Sequence, residues 1–427
     1  MCTSLESVAD VQPLRALHYD FSRPDGLKLV TAPPYDVIDP QQRAQLLARS
    51  PHNVVEIDLP QGDDPYEHAA RTFAAWQQEG VLVRDATPAL WALTQDYTGP
   101  DGGARTRHGI FARIAVEDYG PGRIRPHERT HPGPKEDRLR LTRATRANLS
   151  PIFSLYDDPD ERTWGAIEPS VLGADPKGDV VDEDGTRHRL WRVADPGVIA
   201  AVHDGLASKE LLIADGHHRY ETARVYAEEI GGEGAHRFVL MCLVALQDPG
   251  LTIFPTHRLV RGLTPLRQEA LAATLREHFE IERIEPEALR PPDGHGPLVL
   301  GYIDAHFKQA FRLTLRDHTV ADALLSDRPE PYRRLDTAVL EALILKGPLE
   351  LSDDQISHLA GLGYSRTDAE ALELVQSGTY DAAFFVRPSP VAQVQEIAAA
   401  GETMPPKSTY FFPKLLTGML FNPLDAS

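Results

Sequence analysis

Leu211-Leu212-Ile213-Ala214-Asp215-Gly216-His217-His218-Arg219-Tyr220-Glu221-Thr222-Ala223 runs from an unbroken apolar stretch through Asp-Gly into residues whose spacing is helical as far as Tyr226. The apolar run predicts a buried strand, and the abrupt change in polarity predicts a tight turn that opens a helix. Gly216 admits a positive φ or a close backbone approach, and the unsatisfied N–H groups of a new helix make such a turn an anion site. Arg219 offers a planar donor fork suited to carboxylate or phosphate, whereas His217 and His218 can donate, accept or ligate metal. The competing structural reading makes Asp215 a plain helix cap with solvated basic residues beside it. Five polar or turn residues in a row after a buried strand are more than a cap requires.

Working outward, Val198 to Ala207 has helical spacing and leads into this motif, while Arg237 to Leu246 is a continuous apolar run that predicts a central strand buried on both faces. Asn148 to Tyr156 and Leu190 to Val193 predict strands, and residues 157 to 187, heavy in Asp, Gly and Pro, predict a variable surface connection. Further upstream, Pro88 to Tyr97 and His108 to Val116 are expected to pair across a Gly-Pro-Asp-Gly-Gly turn. Tyr66 to Gln78 predicts an amphipathic helix, and the alternation in Asn53 to Leu59 predicts a half-buried strand. In Ala32 to Ile38 two prolines fix an extended approach to Tyr35 and Asp36, a rigid loop able to line a pocket.

A second polar constellation runs from Arg125 to Arg138. His127-Glu128-Arg129-Thr130-His131 matches the H-E-x-x-H zinc pattern, but that motif requires a helix, and Pro132 biases His131 away from helical geometry. A loop carrying Glu128 as base or metal ligand and Lys135 as a phosphate-facing cation is the better reading, followed by a helix from about Lys135 to Asn148.

Residues 264 to 427 read as a second unit, with helical periodicity at Pro265 to His278 and Leu335 to Leu345. Paired strands are expected at Leu298 to Ile303 and Ala310 to Leu315, and a strand-helix-strand passage starts at Asp381. Gly401 to Ser408 has Walker A spacing, yet Pro406 stands at the second glycine and has no N–H to give a phosphate. A P-loop is therefore rejected, with Lys407, Ser408 and Thr409 left as candidate side-chain anion ligands.

The 427 residues, 42% hydrophobic and 25% charged, belong to the globular class with room for two or three domains. A net charge of -19 argues against a general nucleic-acid surface. The two cysteines, Cys2 and Cys242, indicate no disulfide framework, and neither a signal peptide nor a bilayer-length apolar run is seen. The expectation is a cytoplasmic protein with no membrane and no nucleic-acid partner.

Ala32 to Ile38, His127 to Leu139, Asp215 to Ala223, Pro255 to Leu259 and Met404 to Leu416 together resemble the bacterial and archaeal domain-of-unknown-function 1015 family. The Asp215 turn also resembles the Asp-Gly-x-His-Arg turn of the ParB-like superfamily of partition proteins, sulfiredoxins and free-serine kinases. Sulfiredoxins carry cysteine just after this glycine; His217 stands there instead, so sulfur chemistry is not expected. The resemblance implies an α/β (mixed α+β) fold, with a ParB-like core of mixed sheet and flanking helices in residues 1–263 and an α+β domain in 264–427.

For function it implies a phosphotransferase moving a phosphoryl group from ATP, ADP or pyrophosphate to the hydroxyl of a small metabolite such as free serine, with Mg²⁺. Glu128 would accept the hydroxyl proton, and Asp215 would hold Mg²⁺ or orient a substrate ammonium. Phosphate charge would fall to His217, His218, Arg219 and Lys135, with Gly216, Tyr35, Asp36, Lys407 and Ser408 completing the binding set. The alternatives are a nucleotide-binding switch protein with little or no turnover, and a metal-dependent hydrolase using the histidines at 127, 131, 217 and 218.

Overall fold

The computed structural model describes residues 9–425 apart from 24, 25, 122, 129–131, 293, 295 and 358. The chain divides into two units: one holds residues up to Pro126, the stretch to Thr252 and the segment from Pro413 onward, and the other holds His127 and Glu128 together with Ile253–Phe412. A single cut after residue 263 would have left the C-terminal segment with the second unit. The segment returns to the first because Phe421, Thr417 and Asn422 pair with Leu17, Ala32 and Asn148.

The first unit is built on a nine-stranded mixed sheet. Its order is Ile124–Arg125, Leu211–Asp215, Ile152–Tyr156, Phe238–Ala245, Ala104–Ala115, Leu90–Thr98, Arg187–Val193 and Gly178–Val181, with Val11–Gln12 added beside Ala104–Ala115. Phe238–Ala245 lies centrally, as its apolar run predicts, parallel to Ile152–Tyr156 and antiparallel to Ala104–Ala115. The expected pairing across the Gly-rich turn joins Leu90–Thr98 to Ala104–Ala115. Ile152, Ile213, Tyr220, Met241, Val202 and Trp191 share one core, which puts the helices Pro196–Leu206 and His217–Ile230 against the sheet.

Two local expectations fail here. Asn53 to Leu59 forms a helix, Val55–Asp58, not a strand. Asn53 Oδ1 accepts from the Val55 N–H and its amide donates to the Leu29 carbonyl, a local turn that overrides the alternation, and Val55, Ile57 and Asp58 are all buried. Residues 157 to 187 are not a plain connection. Asp158 accepts from the N–H groups of Arg162 and Thr163 and so starts the helix Arg162–Val171, and Gly178–Val181 joins the sheet edge.

The second unit carries a six-stranded antiparallel sheet, ordered Phe279–Ile284, Ala310–Leu315, Val299–Asp304, Ala382–Phe385, His257–Val260 and Leu362–Ser365. Leu271, Leu275, Phe279, Leu300, Leu313 and Phe384 form its core beneath the helix Pro265–His278. The helical stretch expected over Leu335 to Leu345 is Asp336–Leu340 continued by a π-helical turn, Glu341–Leu345. Among the described residues no helix is long and apolar enough to cross a membrane.

Candidate functional site

The strand Leu211–Asp215 ends in an irregularity: its register against Ile152–Tyr156 shifts between Ile213 and Asp215. Such a bulge re-aims the side chain that follows it. Gly216 then takes φ +98°, and a Cβ built there would lie 2.9 Å from Arg219 Nε. Glycine is required both for the backbone and to let the Arg219 guanidinium fold back over the turn. The helix His217–Ile230 starts at once, with the Tyr220 N–H on the Gly216 carbonyl.

Folding back brings Arg219 Nη2 to 3.6 Å from Asp215 Oδ2, and Lys414 Nζ donates to the same oxygen at 3.2 Å. Burial alone would raise the Asp215 carboxyl, but Lys414 and then Arg219 more than reverse it, and the group is held well below the usual carboxylate range. Arg219 Nη1 donates to the Pro151 carbonyl, while its buried Nε has no hydrogen-bond partner among the described residues. His217 is buried beside the turn and its charge acts in the same direction on Asp215; His218 is half-buried.

Arg219 also lines a shallow, solvent-open cleft with Tyr35, Asp58, Arg138, Ser150 and Thr222. Arg138 Nη1 donates to both the carbonyl and Oδ1 of Asp58, at 2.8 and 3.2 Å, and Ser150 Oγ donates to Oδ2 at 3.3 Å. Burial lifts the Asp58 carboxyl above its ordinary range, and Arg138 and Arg219 offset this only in part. The Arg138 guanidinium lies 4.3 Å over the Tyr35 ring, and burial pushes the Tyr35 phenol up to about 12. The cleft therefore has walls of fixed positive charge and one carboxylate that burial shifts upward.

The sequence-derived candidates distribute as follows. Tyr35, Arg219 and, through the turn, Asp215 and Gly216 gather at this cleft; Asp36 is exposed on the same short turn as Tyr35. Lys135 lies half-buried on the helix Pro132–Thr145, where its carbonyl accepts from Thr222 Oγ1. Glu128 belongs to the second unit and is half-buried, 3.9 Å from His127 Nε2, which also meets Thr409 Oγ1 at 2.9 Å. In that unit Lys407 is exposed at φ +55° with its carbonyl bonded by Thr256 and Arg258, and the buried Ser408 hydroxyl meets Thr337. His131 lies outside the described residues.

Lys414, Asp58, Arg138 and Ser150 were not singled out from the sequence. Asp58 was hidden inside the misread strand, and Lys414 follows the rejected P-loop spacing with no local sign of a partner 199 residues away. As for Mg²⁺, Asp215 does not fit the part of a metal ligand, because Lys414 and Arg219 both face its Oδ2. Among the described residues no group of three or more His, Cys, Asp or Glu is gathered as a metal site.

Comparison with solved structures finds distant likenesses. A conserved hypothetical protein from Pyrococcus furiosus is 14% identical at TM-score 0.34, with 71% of this chain and 90% of that one covered. A free serine kinase in complex with AMP is 12% identical at TM-score 0.39, covering 74% and 91%. SbnI with a C-terminal truncation, from Staphylococcus aureus, is 11% identical at TM-score 0.35, covering 72% and 85%. No curated protein matches the chain. A family model matches residues 11–338, more than three quarters of the sequence, and by that match the chain belongs to the family described as Protein of unknown function (DUF1015).

Proposed function

We propose that the cleft of the first unit binds a phosphate-bearing small molecule and that the protein is a phosphotransferase, moving a phosphoryl group from ATP, ADP or pyrophosphate to the hydroxyl of a small metabolite. The observation that carries this reading is Arg219: a half-buried guanidinium fixed by Asp215 and Pro151, lining a cleft with Arg138, its buried Nε–H lacking an acceptor among the described residues. Arranged arginine forks are the usual protein answer to phosphate, and phosphoryl transfer asks little of the protein beyond positioning and charge stabilisation.

In this proposal Asp215 orients Lys414 and Arg219, and Asp58, whose carboxyl is lifted by burial, is a proton acceptor available in the cleft. Glu128 keeps its candidacy as general base, and no step is routed through Mg²⁺.

The decisive experiment is ³¹P NMR of the protein with each donor and a panel of hydroxy amino acids, paired with calorimetry of donor binding. Transfer to one acceptor is expected, and Arg219→Lys should weaken donor binding about tenfold, since a point charge replaces a fork. Donor affinity unchanged in Arg219→Lys would sink the phosphate site. Binding without turnover would favour the nucleotide-dependent switch. Glu128→Gln should slow transfer on the order of 10²–10⁴-fold with an unchanged melting temperature; normal turnover passes the role of base to Asp58.

A further inference from the structure

Arg107 is a fully buried guanidinium, 1% exposed, lying 4.4 Å over the ring of Phe153. Phe153 is the residue opposite Asp215 in the sheet. Arg107 Nε donates to Gln95 Oε1 at 3.0 Å, and Nη2 donates to the same oxygen and to the Pro413 carbonyl. With its oxygen so engaged, the Gln95 amide turns its nitrogen the other way. It donates to the Lys414 carbonyl at 3.0 Å and to His188 Nδ1 at 3.1 Å, which leaves His188 Nε2–H to donate to Asp182 at 2.8 Å.

Arg107, Gln95 and His188 sit on three adjacent strands of the sheet. Placing an arginine and a glutamine in its buried interior costs desolvation that apolar residues would avoid. Their hydrogen bonds end on the carbonyls of Pro413 and Lys414, across sequence separations of 306 and 319 residues. The rest of the C-terminal segment has its own anchors, at Thr417 on Ala32, Phe421 on Leu17 and Asn422 on Asn148. The buried polar chain is thus not needed to keep the segment docked. What it adds is a fixed backbone at the residue whose ammonium reaches Asp215.

We propose that Gln95 and Arg107 are positioning residues that clamp the Pro413–Lys414 backbone and so hold Lys414 Nζ on Asp215. The functional meaning of the clamp rests on the phosphate-site reading above; its existence does not.

Gln95→Glu tests it in the full chain, keeping an acceptor for Arg107 while removing both N–H donors. Gln95→Met, which removes the acceptor as well, serves if the first variant does not fold. The acetylation rate of Lys414 by a succinimidyl ester, read by peptide mass spectrometry, should rise about fivefold, the equivalent of one net hydrogen bond. Lys346, paired with Glu341 and Asp353, is the internal reference and should not change. An unaltered Lys414 rate in a folded variant overturns the clamp and leaves Gln95 a core residue.

Calorimetry with pyrophosphate then closes a cycle. If the clamp acts through Lys414, the Gln95→Glu/Lys414→Met double variant binds no more weakly than Lys414→Met alone, and additive losses count against it. A raised Lys414 rate together with unchanged pyrophosphate affinity in Lys414→Met would keep the clamp and remove the phosphate site.

Discussion

Asp58, buried, and Asp215, half-buried, are both carboxylates of the first unit and both face arginine, yet burial and charge settle differently at the two. Asp215 is pushed well below the ordinary carboxylate range and Asp58 is lifted above it. The difference lies in the partners and in one helix end. Lys414 and Arg219 converge on one oxygen of Asp215, just ahead of the N-terminus of His217–Ile230, where the helix dipole also favours negative charge. Asp58 has Arg138 as its direct ionic partner, a guanidinium shared with Asp137 and stacked on Tyr35. Desolvation is the largest influence at both sites; the count and aim of the cations decide which sign survives.

The comparison is broken most directly at Arg138. Arg138→Leu leaves the 4%-exposed Asp58 without its direct cation, and loss of one member of a buried pair costs about 3–5 kcal/mol. Urea unfolding at pH 7 should show that loss. It should shrink in acid, because a carboxyl raised in the fold stabilises the protein below the unfolded carboxylate range and gives that up as pH rises through its folded value. A cost under about 1 kcal/mol at pH 7 would mean that the Asp58–Arg138 pair is screened by solvent, so that burial does not set the contrast with Asp215.

Lys414→Met tests the other side. Arg219 still faces the carboxylate, so the expected cost is smaller, about 1–3 kcal/mol at neutral pH. The sign is opposite. A depressed carboxyl contributes stability above its unfolded pKa of about 3.9 and loses it as pH falls through the folded value, so the gap between wild type and variant should narrow as pH falls from about 4 toward that value. Parallel stability curves down to pH 3 would show that Lys414 does not set the ionisation of Asp215.

Gly216→Ala sharpens the comparison with the smallest effect. The methyl group meets Arg219 Nε and the backbone is left-handed there, so a cost of about 1 kcal/mol is expected, together with a displaced Arg219. A neutral melting temperature would indicate that the guanidinium does not fold over the turn.

How much of this was legible in the chain follows the range of the forces involved. The strand, turn and helix around Asp215 could be read directly, because an apolar run, a glycine and helical spacing act within a few residues. The central strand Phe238–Ala245 was legible for the same reason. Asn53 to Leu59 was misread because its alternation is a weak signal beside the Asn53 side-chain turn and the burial of Asp58 against Arg138, which tertiary packing supplies.

By itself the amino-acid sequence determined a mixed α/β chain, the family to which it belongs, and a basic turn with a glycine at its hinge. Only the tertiary structure decided that Lys414, 199 residues away, lies on Asp215, and that Asp58, Arg138 and Arg219 line one cleft. The reason is physical. Local conformation is set by neighbours along the chain, whereas the ionisation of a buried carboxylate is set by which cations the fold brings within a few ångströms and how little water is left between them.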